Sequence, residues 1–170
     1  VLAATEDIEI RQTLLKRIAE ARMQTDKLFD LVRPDSLYER PIPERHRIIF
    51  YLGHLEAFDW NLLNPRLPNA GAFDPEFDRL FAFGIDPVDG GLPSDQPSDW
   101  PAQAQIENYR SRVRATLDVA LNSGDEPSPL LLNVAIEHRL MHAETLNYIF
   151  HQLPFERKQR PSERIPGLRG

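Results

Sequence analysis

The chain contains no cysteine in 170 residues. A disulfide framework, a thiolate nucleophile and any cysteine-ligated zinc or iron–sulfur site are therefore excluded, and a metal held here must use nitrogen and oxygen donors. Positive charge is also short: 20 basic against 26 acidic residues give a net charge of -6 and a pI near 5.4. That balance gives no electrostatic reason to expect nucleic acid or an anionic membrane surface as partner. No apolar run approaches the roughly 18–20 residues of a membrane span, and the opening Val1-Leu2-Ala3-Ala4-Thr5-Glu6-Asp7 lacks the basic segment of a signal peptide, so a cytoplasmic protein is expected. There is no G-x-S-x-G, no glycine-rich phosphate loop and no convincing strand pattern, and Gly90-Gly91 reads only as a turn.

What is present is a core-forming composition, with 41% hydrophobic and 27% charged residues, which suits one folded domain. From about Thr5 to Val32 there is no glycine or proline, and Ile8, Leu14, Leu15, Ile18, Ala21, Thr25, Leu28 and Phe29 recur at helical spacing; Thr5 is expected to cap this first helix. After Arg40-Pro41-Ile42-Pro43, a second helix is predicted over 44–63 with Ile48, Tyr51, His54, Leu55, Phe58 and Leu62 on its inner face. The stretch from Asn64 to Pro101 is broken by prolines 65, 68, 75, 87, 93, 97 and 101, with a short helix only over 75–83, and reads as a long crossover. Ser98-Asp99-Trp100-Pro101 is expected to start a third long helix reaching about Leu121, with Ile106, Tyr109, Val113, Leu117 and Ala120 inward. A fourth opens near Ser128 and runs to about His151. The expected fold is an all-α four-helix bundle with a long crossover between helices 2 and 3, spanning residues 1–155 and followed by a basic extension or linker over 156–170.

The chemistry concentrates in Ile136-Glu137-His138-Arg139-Leu140-Met141-His142-Ala143-Glu144. Two histidines four residues apart on a helix stand one above the other and can converge on one metal ion. Leu131, Val134, Ala135, His138, His142, Thr145 and Ile149 form a stripe at helical stepping, which turns both histidines inward; His54 lies on the inner stripe of the second helix. Three inward imidazoles need partners, and together they make a candidate metal site of His54, His138 and His142 with coordination positions left open. Imidazole alone does not select among zinc, copper, iron and nickel. Glu144 lies about 200° round the helix from His142 and reads as a solvated or ion-paired carboxylate, Glu137 as an ion-pair partner on the flank, and Glu56 and Asp59 as lying off the His54 face. A two-metal carboxylate site is disfavoured because no Glu-x-x-His pairs occur. His46 is expected to be exposed, His151 to sit at the C-terminal end of helix four, where the helix dipole favours a cationic imidazole, with no ligand role, and Tyr51, Tyr109 and Tyr148 to pack near inward faces.

Gly53-His54-Leu55-Glu56-Ala57-Phe58, Asn108-Tyr109-Arg110-Ser111-Arg112-Val113-Arg114 and His138-x-x-x-His142-x-Glu144 resemble the DinB-like N-terminal domain of the ergothioneine-type sulfoxide synthases, a group that includes selenoneine synthases. The resemblance covers nearly the whole chain. It implies non-haem Fe(II) bound by His54, His138 and His142, with O2 activation and the joining of a thiol or selenol to the imidazole ring of a trimethylated histidine. It further implies small-molecule thiol and imidazole substrates and a formylglycine-generating-enzyme-like domain in cis beyond Gly170, without which the chain would be inactive. Where the family often carries Ser-Pro-x-x-Trp, this chain has His46-Arg47-Ile48-Ile49-Phe50. Two other readings stay open: a stand-alone DinB-like thiol transferase or hydrolase using zinc or nickel, and a non-catalytic helical assembly module. Homodimer formation is compatible with each.

Overall fold

A computed structural model describes residues 2–67, 74–85, 91–123 and 128–160. Among them are five helices: α1 (Leu2–Phe29), α2 (Ile48–Leu63), α3 (Pro75–Phe83), α4 (Gln103–Ser123) and α5 (Pro129–Gln152). No strand occurs among the described residues, which hold an isolated antiparallel bridge between Val32 and Lys158. The fold is all-α. Four long helices share one core, with α5 against α1, and α2 against α3, α4 and α5. No described helix is long and apolar enough to cross a membrane.

The helix boundaries differ from expectation where a side chain or a backbone partner competes. α1 already runs from Leu2, so Thr5 is inside it and is not its cap, and it stops at Phe29 because Val32 and Leu31 turn to pair with the chain near Lys158. Residues 156–160, exposed apart from a half-buried Lys158, are tied back to the body by their backbone: Arg33 N donates to Arg157 O at 3.1 Å and Gln159 N to Leu31 O at 2.9 Å. The tail beyond residue 160, Gly90 and the stretch 124–127 lie outside the described residues. α2 begins at Ile48 rather than Glu44 because Arg47 is extended, its guanidinium bonding Tyr38 O at 2.7 Å and Asp95 O at 2.6 Å. The otherwise unpaired first amides of α2 then donate to Glu39 O and Leu37 O. α4 starts later than expected, at Gln103, because Pro97–Asp99 is closed as a separate 3-10 turn in which Gln96 N donates to the Asp99 carboxylate at 2.7 Å. Ser128 caps α5 and Pro129 occupies its first position, as the sequence indicates.

α2 is buried on nearly every side, and the charges it carries are therefore paired inside the protein. Glu56, fully buried, receives Arg139 Nη2 of α5 at 2.8 Å and Arg114 Nη2 of α4 at 2.6 Å. Arg139 Nη2 also bonds Asp59 at 2.6 Å and the Leu55 carbonyl at 3.0 Å. Arg114 reaches Asp26 of α1 at 2.7 and 2.8 Å, and Arg110 reaches it at 2.9 Å. Asp26, Glu56 and Asp59 thus face Arg110, Arg114 and Arg139, three charges against three, and all four long helices contribute. Burial alone would raise the Glu56 carboxyl, but the Arg139 and Arg114 guanidiniums overcome it and hold the group well below the usual carboxylate range. Burial pushes Asp59 the other way, against the pull of Arg139 and with the Glu56 charge adding to the rise.

Replacing Glu56 by Gln leaves Arg139 and Arg114 buried without their shared counter-charge, and is expected to cost about 3–5 kcal/mol of unfolding free energy by denaturant titration. Because Glu56 has a lowered folded pKa, its contribution is present above the ordinary glutamate pKa and is lost as pH falls through the folded value. The variant should therefore lose stability less steeply than the parent on acidification below about pH 4.3.

Candidate metal centre

α2 and α5 cross so that His54 faces His138 and His142 at the edge of the core. His54 Nε2 lies 3.2 Å from His138 Nε2 and 3.1 Å from His142 Nε2, and all three candidate donor atoms fall within 4.8 Å of one another. The three residues are half-buried. This is the group anticipated from the sequence. The stripe of α5, however, is rotated from the expected one: its buried face is Leu132, Ala135, Ile136, Arg139, Ala143, Leu146, Ile149 and Phe150, while Val134 is exposed and the histidines lie on the flank. Arg139, one residue and about 100° from His138, takes the core position.

The other ring nitrogen of His54 is committed, since Nδ1 lies 2.7 Å from the carbonyl oxygen of Phe81, in the last turn of α3. A carbonyl only accepts, so Nδ1 carries the proton and the Nε2 lone pair points at the other two histidines. His138 is stacked on Phe58, with ring centroids 3.4 Å apart and planes at 9°, and His142 lies beside Tyr51 at 5.7 Å. Burial, and then the neighbouring imidazoles, push His138 down to about 3; burial, and then His54, push His142 down to about 4. Burial lowers His54 as well. At neutral pH all three rings are uncharged and their lone pairs are available.

The donor set fits a transition-metal ion. Imidazole nitrogens bind zinc-like ions at about 2.0–2.1 Å, and two such ligands at tetrahedral to octahedral angles stand about 2.9–3.4 Å apart, which brackets the two separations from His54, the donors of His138 and His142 lying within 4.8 Å of each other. Three neutral imidazoles meeting at Nε2 have no equally good arrangement of hydrogen bonds among themselves, and Nδ1 of His138 and of His142 is buried without a hydrogen-bond partner.

The remaining candidates fall elsewhere. Glu144 is exposed and outside the group, and Glu137 pairs with Arg17 of α1 at 3.2 Å. Glu56 and Asp59 are off the His54 face, as expected, and pair with Arg139 inside the core, Glu56 with Arg114 as well. His151 is exposed. His46 is not: it is half-buried and stacks on Phe50 at 4.1 Å, which in turn stacks on His54 at 4.7 Å. Tyr51 and Tyr109 are buried, the latter donating to Asp78 at 2.8 Å, whereas Tyr148 is exposed instead of inward. A cavity of about 370 Å³ lined by Arg45, His46, Tyr51 and the chain at Gly91–Pro93 adjoins His142 through the Tyr51 ring. Two larger cavities, of about 460 and 650 Å³, lie along α1 and α4, away from the histidines. Sequence reasoning missed the Phe81 carbonyl and the role of Arg139. Backbone acceptors leave no residue signature, but the charges of an otherwise apolar α2 were a readable sign that a buried cation had to exist.

No protein-family model matches the chain. Among characterised proteins it is 35% identical over 127 residues to ergothioneine biosynthesis protein 1 of Neurospora crassa, a match covering 69% of this chain and 14% of that protein. It is 32% identical over 133 residues to ergothioneine biosynthesis protein 1 of Schizosaccharomyces pombe, covering 72% of this chain and 17% of that protein. The matched segment is thus a small part of each relative's length. Over about 70% of its length the chain is homologous to ergothioneine biosynthesis proteins, consistent with an N-terminal domain of the ergothioneine-type sulfoxide synthase family.

Proposed function

We propose that this chain is the DinB-like, iron-binding four-helix bundle of an O2-dependent enzyme that joins a thiol or selenol to the imidazole ring of a histidine-derived substrate, as in ergothioneine biosynthesis. The observation that carries the reading is the convergence of the His138 and His142 Nε2 atoms on His54 Nε2, at 3.2 and 3.1 Å, in a chain homologous to ergothioneine biosynthesis proteins. His54, His138 and His142 would hold the metal, and Fe(II) bound there would supply the redox centre through which O2 takes up the electrons released as the thiol S–H and imidazole C–H bonds give way to the new bond. The chain's own residues set the conditions. The Phe81 carbonyl keeps the His54 proton on Nδ1, Phe58 and Tyr51 wall the histidines with aromatic surface, and the Arg139–Glu56 pair holds the back of the site rigid. Three protein donors leave the remaining positions for O2 and substrate. Residues 1–155 form the bundle in this reading, and 156–170 lead to a formylglycine-generating-enzyme-like domain in cis that orients the thiol and the trimethylated histidine. The enzyme is cytoplasmic.

The purified chain is expected to bind one divalent ion per molecule. Elemental analysis and metal titration check this, and His138→Ala should abolish stoichiometric binding; undiminished uptake by that variant would remove the site. Chelation is expected to leave the circular dichroism of the helices intact, because the apolar core and buried charge cluster, rather than the metal, hold the four helices together.

In an enzyme carrying this chain together with the cis domain, O2 uptake that requires both the thiol and the trimethylated histidine should fall to background in His54→Ala. Residues 1–170 alone should be nearly silent, since the orientation of two substrates accounts for roughly 7–11 kcal/mol of such a barrier. Thiol transfer or hydrolysis by residues 1–170 alone, abolished by His142→Ala, would instead establish a stand-alone metal-dependent transferase or hydrolase.

A further inference from the structure

His54 has a glycine in front of it, and the space that glycine leaves is filled by α3. A Cβ built on Gly53 would stand 2.5 Å from Cγ and Cε1 of Phe81, far inside any contact a real side chain makes, and Phe81 is fully buried and cannot swing away. The same residue, Phe81, supplies the carbonyl that receives His54 Nδ1. Close approach of α3 to α2 at Gly53 and the hydrogen bond to His54 are therefore one contact seen from two sides. We infer that Gly53 and α3 form a positioning clamp that sets the tautomer of His54, and through it the metal affinity of the whole site.

The clamp is anchored independently at each end of α3. At its start, the Asp74 carboxylate caps the Phe77 amide at 3.1 Å. In the first turn, the Asp78 carboxylate receives the Tyr109 hydroxyl of α4 at 2.8 Å, and the Asp78 carbonyl receives Asn61 Nδ2 of α2 at 3.2 Å. At its end, Gly84 has φ of 74°, a conformation that L side chains rarely adopt, and it packs directly on the ring of His46. Phe81 itself meets Tyr109 at 5.8 Å and Trp100 at 6.5 Å between ring centroids. A helix of nine residues in a proline-broken crossover is thus held from several directions, and its free C-terminal carbonyls, the negative end of the helix dipole, are delivered to the one imidazole on α2. Of the three histidines only His54 has its second nitrogen bonded; Nδ1 of His138 and of His142 has no such partner. His54 is consequently the ring whose orientation is set before any ion arrives, and an outer partner of this kind is typically worth 10–100-fold in metal affinity.

This inference rests on reading the three histidines as a metal site, and its test separates the two. In the metal-free, ¹⁵N-labelled chain, imidazole ¹⁵N shifts report the tautomer of His54 without any metal; Zn²⁺ affinity is measured separately by competition with a chromogenic chelator. The parent chain should show His54 protonated at Nδ1. Gly53→Ala, with helical circular dichroism retained, should shift His54 toward the Nε2-protonated form and weaken Zn²⁺ binding 10–100-fold. Tyr109→Phe adds no bulk and releases only the anchor at Asp78; it should move both readouts in the same direction by a smaller amount, and it carries the test if Gly53→Ala does not fold. A folded Gly53→Ala chain, or failing that a folded Tyr109→Phe chain, with the parent's tautomer and Zn²⁺ affinity would overturn the clamp. A parent chain that binds no Zn²⁺ yet shows the tautomer shift would count against the metal site and leave the clamp on His54 standing.

Discussion

The ion pair between Arg139 and Glu56 is the constraint on which the rest of this structure depends. A guanidinium and a carboxylate buried together in a helical core are expensive unless every hydrogen-bonding position is met, and the surrounding residues meet nearly all of them. Arg139 spends its Nη2 on Glu56, Asp59 and the Leu55 carbonyl, while Arg114 and Arg110 extend the cluster to Asp26 on α1. Such pairing has one solution for the rotation of α5 about its axis. With Arg139 directed at α2, His138 and His142 lie on the adjacent flank of α5, while Glu56 and His54 leave α2 about 200° apart, with the Leu55 carbonyl between them bonded to Arg139. The charge cluster thus places the two imidazoles of α5 without touching them.

The site that results has a closed back and an open front. Behind the histidines are the charge cluster and the apolar core; beside them are Phe58, Tyr51 and the turn of α3 that ends in Phe81. The crossover between α2 and α4 is therefore more than a connection. It is held to the body by Asp95, a buried carboxylate shared by Arg40, Arg47 and the Trp100 indole, and by Asp78 with Tyr109. These anchors use side chains from the segment before α2, from the crossover itself and from α4, so the position of α3, and of the carbonyl it offers to His54, depends on elements on both sides of the crossover. Half-burial of the three rings keeps them uncharged at neutral pH while leaving them reachable, a combination suited to binding an ion with open coordination positions.

The similarity to ergothioneine biosynthesis proteins gives this arrangement a chemical setting, and the division of labour in the structure agrees with the small share of those proteins that the chain matches. A bundle can present three nitrogens rigidly. It has little with which to hold two dissimilar substrates: the cavity next to His142 is small, and the larger ones lie along α1 and α4. In the proposed function, substrate orientation falls to residues outside this segment, and the three histidines within it are the metal's ligands.

Much of the molecule was legible in the chain. Helical periodicity is local, so the existence of α1, α2, α4 and α5, the short helix at Pro75–Phe83 and the Ser128 cap could be read directly, as could the pairing of His138 with His142 from their spacing. Helix starts were less legible, because the extension of Arg47 and the separate turn at Pro97–Asp99 depend on partners distant in sequence. The buried face of α5 was misplaced for the same reason: an arginine between two histidines looks like a surface residue until Glu56 and Asp59, some eighty positions earlier, are brought against it. The Phe81 carbonyl could not be foreseen at all, since every residue carries one. The sequence by itself determined which segments are helices and which side chains could bind a metal, because both follow from residue type and short-range spacing. Only the tertiary structure decided how the helices are rotated and which ring nitrogen of His54 faces the site, because buried charges and backbone acceptors are satisfied between segments that the chain order keeps far apart.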